Sequence, residues 1–320
     1  MPPIRLHLAP LRGVTGHIFR TIYAGYFSGF DCAITPFITT VRSRTVSASH
    51  LRDIRPENNR DLPIVPQLIG NNADDFVRMA GWVADAGYTC VNWNLGCPFP
   101  QVTSKKRGSG LLPWPALINA FLESVMVRMP IKLSVKVRLG LHDAEELPAL
   151  MPIFNRYPIA EVQIHARTGK QMYDGTADIE AFERCAAMSA HPVVYNGDIF
   201  TQADFARLSH RLTGVTRWMI GRGAISDPFL AARIRGTTES ANPVGVFREF
   251  HDALFDAYLA ARRQPIPVLG IMKELWGYWA GSFIDGAQFL RRIQRTKSLE
   301  EYRREVGADL WEAVWSPAMR

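Results

Sequence analysis

Cysteine is scarce in this chain and is not arranged for joint work. Cys32, Cys90, Cys97 and Cys185 include no Cys-x-x-Cys pair and share no Cys/His ligand spacing. A disulfide framework and a structural zinc site both need close, patterned thiols, so neither is expected, and no other metal is. Long apolar runs are missing as well; none approaches the roughly 20 residues that span a bilayer. The opening Met1-Pro2-Pro3-Ile4-Arg5 lacks the apolar core of a signal peptide. There is no Gly-x-Gly-x-x-Gly fingerprint of a dinucleotide-binding fold. Internal repeats and low-complexity segments do not stand out either. These absences point to a soluble, cytoplasmic protein with no membrane contact. Nothing in the chain demands more than a monomer.

What the chain does have is length and apolar content. With 320 residues and 47% hydrophobic side chains it can bury one large domain and one small one. Short apolar runs recur at 6–10, 32–35, 64–68, 89–92, 133–137, 161–165, 193–195 and 217–220. They are rich in Val and Ile and mostly apolar throughout, as are parallel strands covered on both faces. Helical patterns fall between them near 73–86, 115–128, 145–155, 179–189 and 202–209, with Asn72 and Thr201 at N-cap positions. This alternation predicts an α/β fold, a (β/α)8 TIM barrel, which takes about 250 residues. The strand pattern stops after Asp227-Pro228. Residues 237–243 read as a polar linker, with Pro243 and Gly245 as breakers. Amphipathic segments at 246–263, 268–283, 286–297 and 299–314 then predict a C-terminal helical bundle. The expected division is a barrel over 1–236 and a helical domain over 243–320.

Barrels of this kind carry their active sites at the C-terminal ends of the strands. Those ends are polar here: Gln67, Asn92 and Asn94, Lys136 and Arg138, His165 and Arg167, Asn196-Gly197-Asp198, and Gly221-Arg222. Glycines after the seventh and eighth strands let backbone N–H groups approach a phosphate, and Arg222 adds a bidentate donor. Period two places Lys136 and Arg138 on one side of the fifth strand. Three jobs are open to that lysine: forming a Schiff base, stabilising charge on a reduced flavin, or pairing with a carboxylate. Residue chemistry alone does not choose among them. Cys97 follows the fourth strand in a loop and has the setting of a reactive thiol. Cys32 and Cys90 fall in apolar strands, and Cys185 lies on a helix. The formal charge of +7 suits a polyanionic partner.

Several segments together resemble the tRNA-dihydrouridine synthase family. They are Ala9-Pro10-Leu11-Arg12-Gly13-Val14-Thr15, Gln67-Leu68-Ile69-Gly70, Asn94-Leu95-Gly96-Cys97-Pro98 and Val135-Lys136-Val137-Arg138-Leu139-Gly140. Further on come His165-Ala166-Arg167-Thr168, Tyr195-Asn196-Gly197-Asp198-Ile199 and Ile220-Gly221-Arg222-Gly223-Ala224. The resemblance implies an FMN across the barrel mouth, reduced by NADPH. Pro10, Leu11 and Arg12 would line the flavin, with Gln67, Lys136 and His165 at its ring. Asn196, Gly197, Asp198, Gly221 and Arg222 would hold its ribityl and phosphate. Uridines in tRNA, in the D-loop, would be the substrate, with the uracil oriented by Asn94 and Arg138, and Cys97 would donate the proton to C5. RNA backbone would meet Arg42, Arg44, Lys105, Lys106, Arg107 and Arg167. On the helical domain the candidates are Arg262, Arg263, Lys273, Arg291, Arg292, Arg295 and Lys297.

The chain departs from the family pattern at Leu11 and Arg12, at Asn92 where an acidic residue is common, and at Phe99-Pro100-Gln101. Trp93 is expected to add bulk near the base pocket. A flavin enzyme acting on free pyrimidines is the nearest alternative, and the basic balance with the helical appendage argues against it.

Overall fold

The computed structural model describes residues 3–43, 45–47, 49–237, 241–261, 264–307 and 311. Ten short β segments pair in parallel in one sheet. They make eight barrel strands: β1 (Arg5–Leu8), β2 (Cys32–Ile34 with Ile38–Thr39) and β3 (Ile64–Val65 with Gln67–Ile69), then β4 (Cys90–Leu95) and β5 (Lys132–Arg138). β6 (Ile159–His165), β7 (Val193–Asn196) and β8 (Arg217–Ile220) complete the set. Ala33 pairs with Ile64 and Ile38 with Leu68, so β2 and β3 run together on both sides of their breaks. Each break holds a proline, Pro36 or Pro66, which has no N–H to give the ladder. Beside the break the Thr35 hydroxyl accepts the Gln67 N–H at 3.0 Å. β8 pairs with β1, and β1 with β2, which closes the ring. The expected (β/α)8 barrel is the observed one.

The strands are less uniformly apolar than they read. On β4, Val91, Trp93 and Leu95 join the core between barrel and helices, and the alternate residues Asn92 and Asn94 meet polar partners. The same alternation sets Ser134, Lys136 and Arg138 apart from Leu133, Val135 and Val137 on β5. Trp93 is therefore not beside the cleft as expected. It stacks on Phe121 at 4.1 Å and gives its indole N–H to the Gly70 carbonyl at 2.9 Å, because period two turns it to the helix side.

Around the barrel run α1 (His17–Tyr26), α2 (Ala73–Asp85), α3 (Pro100–Thr103), α4 (Pro115–Met126), α5 (Glu146–Phe154), α6 (Ile179–Met188), α7 (Gln202–Arg211) and α8 (Arg222–Ser226). Asn72 caps α2 by accepting the Asp75 N–H, and Thr201 forms a capping box with Asp204 on α7. Beyond them lie α9 (Leu230–Ile234), α10 (Pro243–Ala261), α11 (Pro265–Trp279), α12 (Gly286–Arg295) and α13 (Leu299–Glu305). Pro243 is not a breaker but the first residue of α10, a position where the missing N–H has no helical partner to lose. Gly245 lies within that helix, its N–H taken by Asn242. Residues 308–310 and 312–314 of the last expected segment, 299–314, lie outside the described residues. The C-terminal helices bury an aromatic core against α1. The Phe250 ring stands 4.9 to 6.3 Å from those of Phe19, Tyr23, Tyr26 and Phe27.

Candidate active site

A cleft opens at the C-terminal ends of the strands. Pro10, Leu11 and Arg12 line it from β1, Gln67 from β3, and Asn94 and Cys97 from β4. Lys136 and Arg138 reach it from β5, His165 from β6, Asn196, Gly197 and Asp198 from β7, and Gly221 and Arg222 from β8. Strands far apart in the chain thus converge on one place, as the alternation with helices requires.

Arg12, Arg138 and Arg222 put three guanidinium groups around the cleft, with the Lys136 amine beside them, against one carboxylate, Asp198. That carboxylate is already engaged. Arg167 clasps it with two bonds of 2.9 and 2.6 Å, Arg222 adds one of 3.1 Å, and the Ala177 N–H another of 2.9 Å. Burial pushes the Asp198 carboxyl up, but these partners hold it below its ordinary value. The cleft therefore carries an excess of positive charge.

Lys136 is buried and donates to Asn196 Oδ1 at 3.1 Å, while Asn196 gives its amide N–H to the Met219 carbonyl at 2.9 Å. Burial, with Arg138 nearby, brings the lysine down to about 7. It faces no carboxylate among the described residues, so the pairing role left open for it is not realised. Burial and the surrounding cations also push His165 well below its ordinary range, so the ring is neutral at physiological pH. Arg138 is held by the carbonyls of Gly96, Thr168 and Met172 at 3.0, 2.8 and 2.7 Å.

Cys97 is buried, and burial raises its thiol despite the lowering influence of Arg12, Arg138 and Lys136. A raised pKa keeps the proton on sulfur at neutral pH, the state a general acid needs. The loop that carries it is fixed at both ends. Asn94 Oδ1 accepts the N–H groups of Gly96 and Cys97 at 3.1 and 2.9 Å, and Ser109 donates its N–H and hydroxyl to the Cys97 carbonyl. Gly108 makes this approach possible: its φ is +57°, and a Cβ there would lie 2.5 Å from the Cys97 carbonyl oxygen.

The glycines after β7 and β8 are also required by space. A Cβ on Gly197 would lie 2.7 Å from the Tyr195 hydroxyl, and one on Gly223 only 1.9 Å from the Ile199 carbonyl. The bare backbone at this corner and the Arg222 guanidinium fit a phosphate. The site's residues thus fit a phosphate-bearing flavin.

The chain also matches the Dihydrouridine synthase (Dus) family model over residues 7–310. It belongs to the dihydrouridine synthase family. Members are flavin-dependent oxidoreductases that form dihydrouridine in tRNA, so the expected enzyme class stands. A tRNA-dihydrouridine(16) synthase of Cupriavidus necator is 32% identical over 245 residues, covering 74% of this chain and 75% of the relative. One from Neisseria meningitidis serogroup B is 26% identical over 311 residues, covering 93% and 92%. A solved old yellow enzyme homologue from Zymomonas mobilis shares the fold with a TM-score of 0.51 at 13% identity, covering 76% of this chain and 92% of that one.

Every site residue expected of this dihydrouridine synthase lines the cleft except Arg167. Arg167 is 2% exposed and spends its guanidinium on Asp198 and the carbonyls of Asp174 and Gly175. It orders the β6 and β7 loops, and its burial rules it out as a contact for RNA phosphate. Lys273, expected on an RNA surface, instead donates to the Gln294 and Thr296 carbonyls at the C-terminus of α12. Arg292 pairs with Glu305, and Arg107 bonds Asn71. Arg42, Lys105, Lys106, Arg291, Arg295 and Lys297 remain exposed. Arg44, Arg262 and Arg263 lie outside the described residues.

Sequence reasoning missed Phe37, Tyr173 and Phe200 and marked Phe99 only as a departure from the family pattern; all four lie on loops lining the cleft. Tyr173 is 43% exposed with Arg222 4.5 Å from its ring, and Phe99 is 41% exposed. Single exposed aromatics carry no sequence signal; only their convergence on the cleft does.

Proposed function

We propose that this dihydrouridine synthase reduces the C5–C6 bond of the uridine at position 16 of tRNA, with FMN in the cleft and NADPH as reductant. The position is supported by relatives of that name, two of which match 74% and 93% of the chain. The observation that carries the chemistry is a buried, anchored Cys97 facing a cationic, glycine-cornered cleft.

When bound, FMN supplies the hydride that C6 of the uracil accepts, because the C5–C6 bond is conjugated to a carbonyl. Gly197, Gly221 and Arg222 are the groups that would hold its phosphate end. Gln67, Lys136, His165 and Asn196 would hold its polar ring edge, where Lys136 regains its proton beside a negative charge. Arg138, already fixed by three carbonyls, offers its remaining N–H groups to a uracil carbonyl and steadies the enolate. Asn94 has one amide N–H free for the same base. Cys97 Sγ gives its proton to C5, and the resulting thiolate lies in the field of Arg12, Arg138 and Lys136, which stabilises it. The base must leave its stack to enter, and Phe99 and Tyr173 offer stacking faces at the mouth.

The test is turnover of tRNA lacking dihydrouridine with NADPH, read by mass spectrometry of nuclease fragments. Dihydrouridine at position 16 is expected. Cys97→Ala should lower its formation by about 10²- to 10⁴-fold while NADPH still reduces the flavin at the native rate. NADPH oxidation without any dihydrouridine would defeat the reading of tRNA as substrate.

A further inference from the structure

Asn94 belongs to a chain of buried amides that runs down the barrel axis. Asn94 Nδ2 donates to Gln67 Oε1 at 2.7 Å, and Gln67 Nε2 donates to Asn92 Oδ1 at 2.7 Å. Asn92 Nδ2 donates to Ser134 Oγ at 2.9 Å and to Gln163 Oε1 at 3.3 Å. Gln163 Nε2 donates to Glu161 Oε1 at 2.7 Å. The other Glu161 oxygen accepts from Arg217 at 2.7 Å. His7 Nδ1 stands 3.7 Å from Glu161, beyond hydrogen-bond range. Gln67, Asn92 and Gln163 are fully buried, so each amide orientation is decided by its neighbours and not by water.

The chain has one consistent direction. Its upper end meets backbone N–H groups of Gly96 and Cys97, which can only donate. Its lower end meets a carboxylate, which can only accept. Four amides in between all point the same way, with no donor facing a donor. Reversing any one would leave two N–H groups opposed in a dry interior.

We propose that Glu161, at the closed end of the barrel, is a positioning residue for Cys97. By accepting only, it sets Gln163, then Asn92, then Gln67, and so presents Asn94 Oδ1 to the loop that carries the thiol. The consequence for turnover rests on Cys97 being the proton donor; the effect on the loop does not.

In Glu161→Gln, Arg217 still claims an oxygen, so the new NH2 group faces the Gln163 NH2. Inverting the chain relieves the clash, and the inverted chain ends with a donor opposite the Cys97 N–H. The exchange Glu161→Gln with Gln163→Glu restores the direction, since the carboxylate at 163 accepts from both Asn92 and the amide at 161. Two readouts apply to the flavin-loaded enzyme. One is kcat and KM for tRNA. The other is the rate at which iodoacetamide labels Cys97, followed by peptide mass spectrometry. Glu161→Gln should lower kcat by roughly tenfold or more and change the labelling rate by a similar factor, with KM little altered. The exchange variant should return both toward native. If Glu161→Gln does not fold, Gln163→Met breaks the same link and should change Cys97 labelling likewise. Native kinetics and labelling in the single variants, or an exchange variant as impaired as they are, would overturn the proposal. Restored labelling in a protein that makes no dihydrouridine would keep the amide chain and reject the proposed function instead.

Discussion

Among single residues, Lys136 carries the most direct pH consequence. Its folded value of about 7 lies below the ordinary 10.5, because burial disfavours the charged form. Between those two values the unfolded chain holds a proton that the folded one has lost, so this group makes the flavin-free protein more stable as pH rises through that window. An anion at the ring edge reverses the effect by restoring the charge. Binding of reduced flavin, whose ring is anionic, at about pH 8 is therefore expected to take up a proton through Lys136. Calorimetry in two buffers of different ionisation heat measures it, and Lys136→Met should abolish the uptake. Equal uptake by both proteins would assign the proton to another group.

At the level of elements, the corner between β7 and α8 is set by close approach of backbone. Gly223 stands in the first turn of α8, and its Cβ position is filled by the Ile199 carbonyl. A methyl group cannot be absorbed there by turning a side chain, so Gly223→Ala must push the β7 loop and α8 apart. The variant is expected to lose about 1–3 kcal/mol of stability and to purify with less flavin, seen as a lower ratio of visible to ultraviolet absorbance. Undiminished flavin content would show that the corner tolerates separation and does not hold the phosphate. The α7 capping box is a milder case: Thr201→Ala should cost about 1 kcal/mol in thermal unfolding without touching flavin content.

For the whole molecule, the question is how the helical part is tied to the barrel. Phe250 on α10 packs against four rings of α1 and its C-terminus, so the two parts share a core instead of meeting at a polar seam. Phe250→Ala should destabilise the protein by about 3–5 kcal/mol and still give one unfolding transition. Two separate transitions would mean that barrel and helices melt independently. The exposed cations Arg291, Arg295 and Lys297 near the end of α12 make a second prediction at this scale. Changing the three to Glu should weaken tRNA binding and flatten its dependence on salt, while NADPH oxidation continues. An unchanged salt slope would place the RNA elsewhere.

Much of this was legible in the residues. Period and punctuation determined the strands, the helices and the barrel, because strand and helix spacing are local properties of the chain. The cleft residues were legible because a closed barrel places every strand end at one rim, so an ordered series of polar ends predicts one site. Arg167 and Lys273 were misread because a cation's partner lies in another segment, and sequence order does not show whether a guanidinium faces RNA or a carboxylate. Pro243 was misread because a breaker and a helix start carry the same residue. The inward polar residues Ser134 and Gln163 were hidden in runs that looked apolar. What the sequence by itself determined was which chemistry each strand brings. Only the tertiary structure decided which of those groups touch, and in which direction their hydrogen bonds point, since donors and acceptors 25 to 71 residues apart meet only when the barrel closes.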